Sequence, residues 1–130
     1  MKNFIKTILI IFLLASPSWA AMITSTTNGL FSAGATWVGG VAPADLDGFT
    51  VAAGHTVTFD MDQTAWAGMA ASTINATGTL IASTTAGAYV LKMNADLTVT
   101  GTFQAGTSVA VPYPSTCDFE IIFVGDKHFV

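Results

Sequence analysis

Residues Asn75–Gly106 read NATGTLIASTTAGAYVLKMNADLTVTGTFQAG, and within them one strand-and-turn unit is written twice. Thr77-Gly78-Thr79-Leu80-Ile81-Ala82 returns as Thr100-Gly101-Thr102-Phe103-Gln104-Ala105, 23 residues on, with turn glycine, threonine and large apolar residue in the same order. The same step taken backward from Leu80 reaches Val57 in GHTVTFD, and taken forward from Val99 it reaches Ile122 in FEIIFVG. A fixed period in this range marks stacked units, none of which buries its apolar face alone.

The residues around the repeat alternate with period two. Thr56-Val57-Thr58-Phe59 sets apolar against hydroxyl residues, and the pattern recurs in Tyr89–Met93, in Leu97–Thr100 and in Thr102-Phe103. Such alternation is a strand with one buried face, and threonine suits the outward face because its branched Cβ is stiff there. The expected fold is all-β, a right-handed parallel β-helix-like stack of a few coils with a period of about 23 residues. Its core is expected to hold Val57, Phe59, Leu80, Leu91, Val99, Phe103, Ile121 and Phe123.

The flanks are less regular. Ala21–Ala33 is a polar lead-in with an Asn28-Gly29 turn, expected to give one irregular edge strand. Gly34–Pro43 sets Trp37 among glycines ahead of a proline, where an indole either closes the end of a core or stacks on a sugar. Asp62–Ser72 breaks the rhythm and reads as an irregular excursion between coils. Ser108–Ser115 carries Pro112 and Pro114 around Tyr113 and cannot be an interior strand. Asp118–Val124 is a strongly apolar strand, and residues 126–130 are its exit. A stack that stops on such a strand leaves an unpaired edge, which predicts a fragment, or a piece continued by a further coil or a cap.

Met1–Ala20 is expected to be a secretory signal peptide. Lys2 and Lys6 precede the apolar run ILIIFLLA, and Ser18-Trp19-Ala20 supplies the small residues of a cleavage site after Ala20. The apolar run is far shorter than the roughly 20 residues of a spanning helix, so no membrane association is expected after cleavage. The product would be secreted or held at the cell surface, periplasmic or extracellular.

Composition then narrows the function classes. The chain is 52% hydrophobic and 9% charged, with a mean hydropathy of +0.61. Without the leader, two lysines face seven aspartates and Glu120, a net charge of −6, and there is no arginine. Phosphate recognition needs clustered lysine and arginine, so nucleic acid is not an expected partner. Cys117 is the only cysteine, which rules out an internal disulfide and the usual thiolate metal sites. It is expected to be half-buried and inert.

The succession Trp37-Val38-Gly39-Gly40, Pro43, Val51, Gly54-His55-Thr56-Val57, Asp60, Ile74, Gly78-Thr79-Leu80, Leu97-Thr98-Val99, Gly101-Thr102-Phe103, Gly106-Thr107, Pro112 and Ile121–Gly125 resembles the G8 domain. The resemblance covers residues 34–125. It implies a glycine-punctuated extracellular β module near the front of large exported β-helical proteins, associated with polysaccharide binding or processing. It carries over no catalytic residue.

Two kinds of site remain to be weighed. Asp45 with Asp47, and Asp60 with Asp62, are i, i+2 pairs with His55 between them, and clustered carboxylates suit a hard cation such as Ca2+. The same Asp-x-Asp beside a glycine is also ordinary turn chemistry, and no other cofactor is indicated. Trp37, Trp66 and Tyr113 are the candidate stacking residues for a sugar ring. His55 with Asp60 and a serine would have the parts of a triad, but no Gly-x-Ser-x-Gly elbow is present. The expected function is a non-catalytic structural or binding module, the first part of a larger β-helical protein, contacting a polysaccharide or further coils of the same protein. The alternative is the front end of a polysaccharide-processing enzyme whose catalytic coils lie outside this chain.

Overall fold

The computed structural model describes residues 20–105 and 116–130. Residues 1–19 of the leader and residues 106–115, which include the Ser108–Ser115 proline segment, lie outside the described residues. Ten strands follow one another: β1 (Met22–Thr24), β2 (Gly29–Leu30), β3 (Gly48–Val51), β4 (Thr56–Phe59), β5 (Ser72–Ile74), β6 (Thr79–Ala82), β7 (Gly87–Met93), β8 (Leu97–Val99), β9 (Thr102–Gln104) and β10 (Cys117–Phe123). Every pairing between them is parallel, and no described residue is in an α-helix.

The pairings make a three-sided β-solenoid. The first side is the sheet β1-β3-β5-β8, the second is β2-β4-β6-β9, and the third is the pair β10-β7. The chain visits the sides in that order and stacks each visit on the last. Residues 61–69 stand where β7 stands one coil later, joined to it by isolated bridges from Asp62 to Val90 and from Met69 to Met93 and by side-chain hydrogen bonds in place of a continuous ladder. The expected excursion is therefore the irregular third side of a coil.

The repeat in the sequence is the register of the second side. Thr56 pairs with Thr79, and Thr79 with Thr102, while Val57, Leu80 and Phe103 form the apolar column beside them. That 23-residue step also relates Val51 to Ile74 on the first side. Elsewhere the step lengthens: Met22 pairs with Gly48, Ser72 with Leu97 and Gly87 with Cys117. Ile122 does not follow Val99; it pairs with Lys92 on the third side. The segment between β9 and β10 adds residues, so the 23-residue step cannot persist there.

Gly78 and Gly101 explain why the turn glycine recurs. A Cβ on Gly78 would lie 2.9 Å from the Ala52 carbonyl oxygen, and one on Gly101 would overlap the carbonyl oxygens of Asn75 and Gly78. The corners of successive coils stack backbone on backbone, and only glycine leaves the room.

Inside, the side chains form one aromatic column. Trp37, Phe31 and Phe49 pack edge to face at one end, with Phe31 to Trp37 at 5.1 Å and Phe31 to Phe49 at 5.2 Å. Phe59 joins Phe31 at 5.0 Å and Phe119 at 5.9 Å. The column then runs through Phe103 and Phe129 to Phe123. Of the expected core, Val57, Phe59, Leu80 and Leu91 are fully buried, whereas Val99, Phe103, Ile121 and Phe123 are only partly so. The second group belongs to the last coil, which among the described residues only the terminal stretch 128–130 covers in part.

Both flanks differ from expectation. The lead-in contributes two strands, β1 and β2, and so forms a coil of its own. At the other end the exit turns back: Leu97 N–H donates to His128 O, and Val130 exchanges hydrogen bonds with Leu97 and Val99. Residues 128–130 thus lay a further rung on the first side.

Candidate functional site

Because side chains alternate along each strand, the buried column of each side implies an outward column of known identity. On the first side Thr24, Thr50, Thr73 and Thr98 stand in one rank, each paired with the next. On the second side Thr56, Thr79 and Thr102 form another. Hydroxyl and methyl groups therefore repeat along the solenoid at the strand spacing of about 4.8 Å. The strands of these two sides contain no charged residue. Charge is confined to the third side and the corners, with Lys92 on β7 and Asp118 and Glu120 on β10.

The four aspartates with metal-ligand spacing are each held by different donors. Asp45 accepts from the Ala67 and Gly68 N–H groups, both at 3.0 Å. Asp47 accepts from Ala21 N–H at 2.8 Å and Ala44 N–H at 2.9 Å. Asp60 takes Ser32 N–H at 2.9 Å and Ser32 Oγ–H at 2.6 Å, and Asp62 takes the N–H and hydroxyl of Thr64. Asp45, Asp47 and Asp60 each reach a residue 22 to 28 positions away, so they join one coil to its neighbour. The hydrogen bonds from Ala67, then Gly68, hold the Asp45 carboxyl below its ordinary value, and those from Thr64 do the same for Asp62. Among the described residues no group of three or more His, Cys, Asp and Glu comes together. The structure does not assemble Asp45, Asp47, Asp60 and Asp62 into one cation site; it uses them as turn and coil-joining acceptors.

Nor does Asp60 orient His55. His55 Nδ1 lies 2.9 Å from Ser25 Oγ, which also accepts from Ala52 N–H at 2.9 Å. Ser25 is 3% exposed, and both oxygens of Asp60 are held by Ser32. The serine and histidine tie β1 to the corner between β3 and β4. Their separation by 30 residues hides the pair from any local motif.

The three candidate stacking residues part company. Trp37 is 1% exposed and donates its indole N–H to Phe31 O at 2.8 Å; it closes the core and offers no face to a sugar. Trp66 is half-buried against the core, after the Asp62–Thr64 turn. Tyr113 lies outside the described residues. Gln63, which sequence reasoning passed over, is fully buried in the same excursion. Its backbone N–H donates to Val90 O and its Oε1 accepts from Lys92 N–H at 3.0 Å, replacing ladder bonds that the irregular third side lacks. Its Nε2 has no hydrogen-bond partner among the described residues. Cys117 is half-buried as expected, with its Sγ 2.9 Å from Thr85 O. No helix among the described residues is long and apolar enough to cross a membrane.

Compared with the sequence patterns of known protein families, with curated proteins and with solved structures, the chain matches none.

Proposed function

We propose that this chain is an exported, non-catalytic binding module, the first part of a larger surface or secreted β-helical protein of G8-like type, which contacts polysaccharide through its uncharged sides. The observation that carries this reading is the pair of threonine ranks. Rigid hydroxyls at a regular spacing, with no charge among them, suit a neutral polymer that repeats along one axis and exchanges hydrogen bonds with them. Trp66 adds a half-exposed indole beside the third side for stacking. The signal-like leader and the scarcity of titratable groups support the same reading, since catalytic sites are built from convergent groups with perturbed environments.

The test is retention on neutral polysaccharide gels, scored against a gel without glycan. The full chain should be retarded, and Thr73→Lys, which places a charge in the longest rank, should remove the retardation while leaving the fold intact. Trp66→Ala should weaken it. Equal mobility of all three proteins in every glycan would end the glycan reading, and release of reducing ends by the purified chain would replace it with the enzyme alternative.

A further inference from the structure

The corner between the first and second sides differs from coil to coil. It takes residues 52–55 between β3 and β4 and residues 75–78 between β5 and β6, but only Thr100 and Gly101 between β8 and β9. Thr100 N–H and Gly101 N–H both donate to Ile74 O, and Thr102 N–H donates to Gly78 O. The following coil thus steps from one end of the 75–78 turn to the other, and Asn75, Ala76 and Thr77 stand exposed beside its path.

The turn is held from within and from the coil before it. Gly78 N–H donates to Asn75 O at 2.8 Å, Asn75 N–H to Val51 O at 3.0 Å and Gly54 N–H to Thr77 O at 3.3 Å. Thr77 has a φ of 64°, in the left-handed region that a β-branched residue rarely enters. By the pairing of Thr56 with Thr79, its counterpart in the preceding coil is Gly54, which holds a φ of 77° without strain. One coil meets this turn with glycine and the next with a strained threonine. Such an outlier points to a use for the side chain. Asn75-Ala76-Thr77 is also the only Asn-x-Ser/Thr triplet in the chain, the form of an N-glycosylation acceptor. Among the described residues the side chains of Asn75 and Thr77 make no hydrogen bond.

We propose that Asn75 is the acceptor of one N-linked oligosaccharide, with Thr77 as the residue that the transferring enzyme recognises. The donor is an oligosaccharide carried on a lipid diphosphate. Asn75 Nδ2 forms a bond to the anomeric carbon of the first sugar, the bond from that carbon to the phosphate oxygen breaks, and the lipid diphosphate leaves with the electron pair. One Nδ2 proton passes to the enzyme. A bulky, solvated group of this kind belongs on the surface of an exported protein, and here it projects from a turn that the next coil steps past, so the stack closes with the sugar in place. The inference rests on export of the chain, and is independent of the polysaccharide contact and of the threonine ranks.

The experiment is expression of the full chain in a eukaryotic secretory host, with a parallel culture in which a host leader precedes it, so that a failure of export and a failure of modification are read separately. The secreted protein should carry one oligosaccharide, seen as a single mass shift that an asparagine-glycan amidase removes, leaving aspartate at 75. Asn75→Gln and Thr77→Ala should abolish the shift, and Thr77→Ser should keep it. Thr77→Gly should abolish it too and raise the melting temperature by about 4 °C, because glycine relieves the positive φ. Secreted but unmodified protein from the host-leader culture would overturn the proposal. So would a shift that survives Asn75→Gln, or a glycosylated chain that melts more than about 5 °C below the Asn75→Gln variant, since the corner would then not accommodate the sugar.

Discussion

The two ends of this solenoid are made from the same kinds of residue and reach opposite states. At the β1 end the chain leaves β2, folds Phe31 under Trp37 and returns through Thr36 and Trp37 to cover Ser25 and Thr26. At the β10 end an equally aromatic set, Phe103, Phe119, Phe123 and Phe129, is in mutual contact but only partly sheltered, and Phe129 is 47% exposed. The difference lies in where the backbone goes. Aromatic side chains close a stack only when a segment crosses over them and supplies partners for the last rung. The β1 end has that segment within the described residues; the other end has residues 128–130 on the first side alone.

The contrast predicts the largest stability effect at the closed end. Trp37→Ala removes a fully buried indole and its hydrogen bond to Phe31 O, and should cost about 3–5 kcal/mol. Phe129→Ala, at the open end, should cost about 1 kcal/mol because much of that ring is already in water. Chemical denaturation of both variants measures the difference directly. Equal losses would show that the open end is covered as well as the closed one.

A substitution between the ends sharpens the comparison. Gly101→Ala forces a methyl group against the carbonyl oxygens of Asn75 and Gly78, at the corner that passes the stack on to the last coil. The overlap should cost about 1–3 kcal/mol. Amide exchange should speed up in β8 and β9 more than in β3 and β4, and uniform acceleration would mean that the coils unfold as one unit.

The smallest effect is electrostatic. Asp45 and Asp62 have carboxyl groups held below their ordinary value of 3.8 by hydrogen bonds. The unfolded chain takes up these protons first as the pH falls, so the stability they contribute is present above 3.8 and is lost as the pH drops from there through the lowered folded values. Both side chains are exposed and the contribution is modest. Asp45→Asn should flatten the acid limb of the melting temperature slightly. An unchanged limb would separate the Ala67-Gly68 attachment from folding stability.

Much of this was legible because a solenoid is nearly one-dimensional. The TGT repeat, the period-two alternation and the turn glycines are local patterns, and each coil meets the next at the same register. Val57, Leu80 and Phe103 could therefore be aligned by counting, and the outward threonines followed from the inward apolar residues. Counting failed where the coil length changed: Ile122 was set beneath Val99 although a longer coil carries it to Lys92. The sequence also left Trp37 poised between a lid and a sugar platform, since glycines around an indole fit either.

By itself, then, the sequence determined the class of fold, the second-side register with its threonine rank and the likeness of the leader to an export signal, because all of these are written in neighbours or in a constant step. Only the tertiary structure decided what lies between coils of unequal length. It placed Trp37 inside, separated the four aspartates onto different backbone donors and set Ser25 beside His55. Those outcomes depend on which corner stacks on which, and a carboxylate has the same local sequence whether its partner is water or a backbone group 22 or 26 residues away.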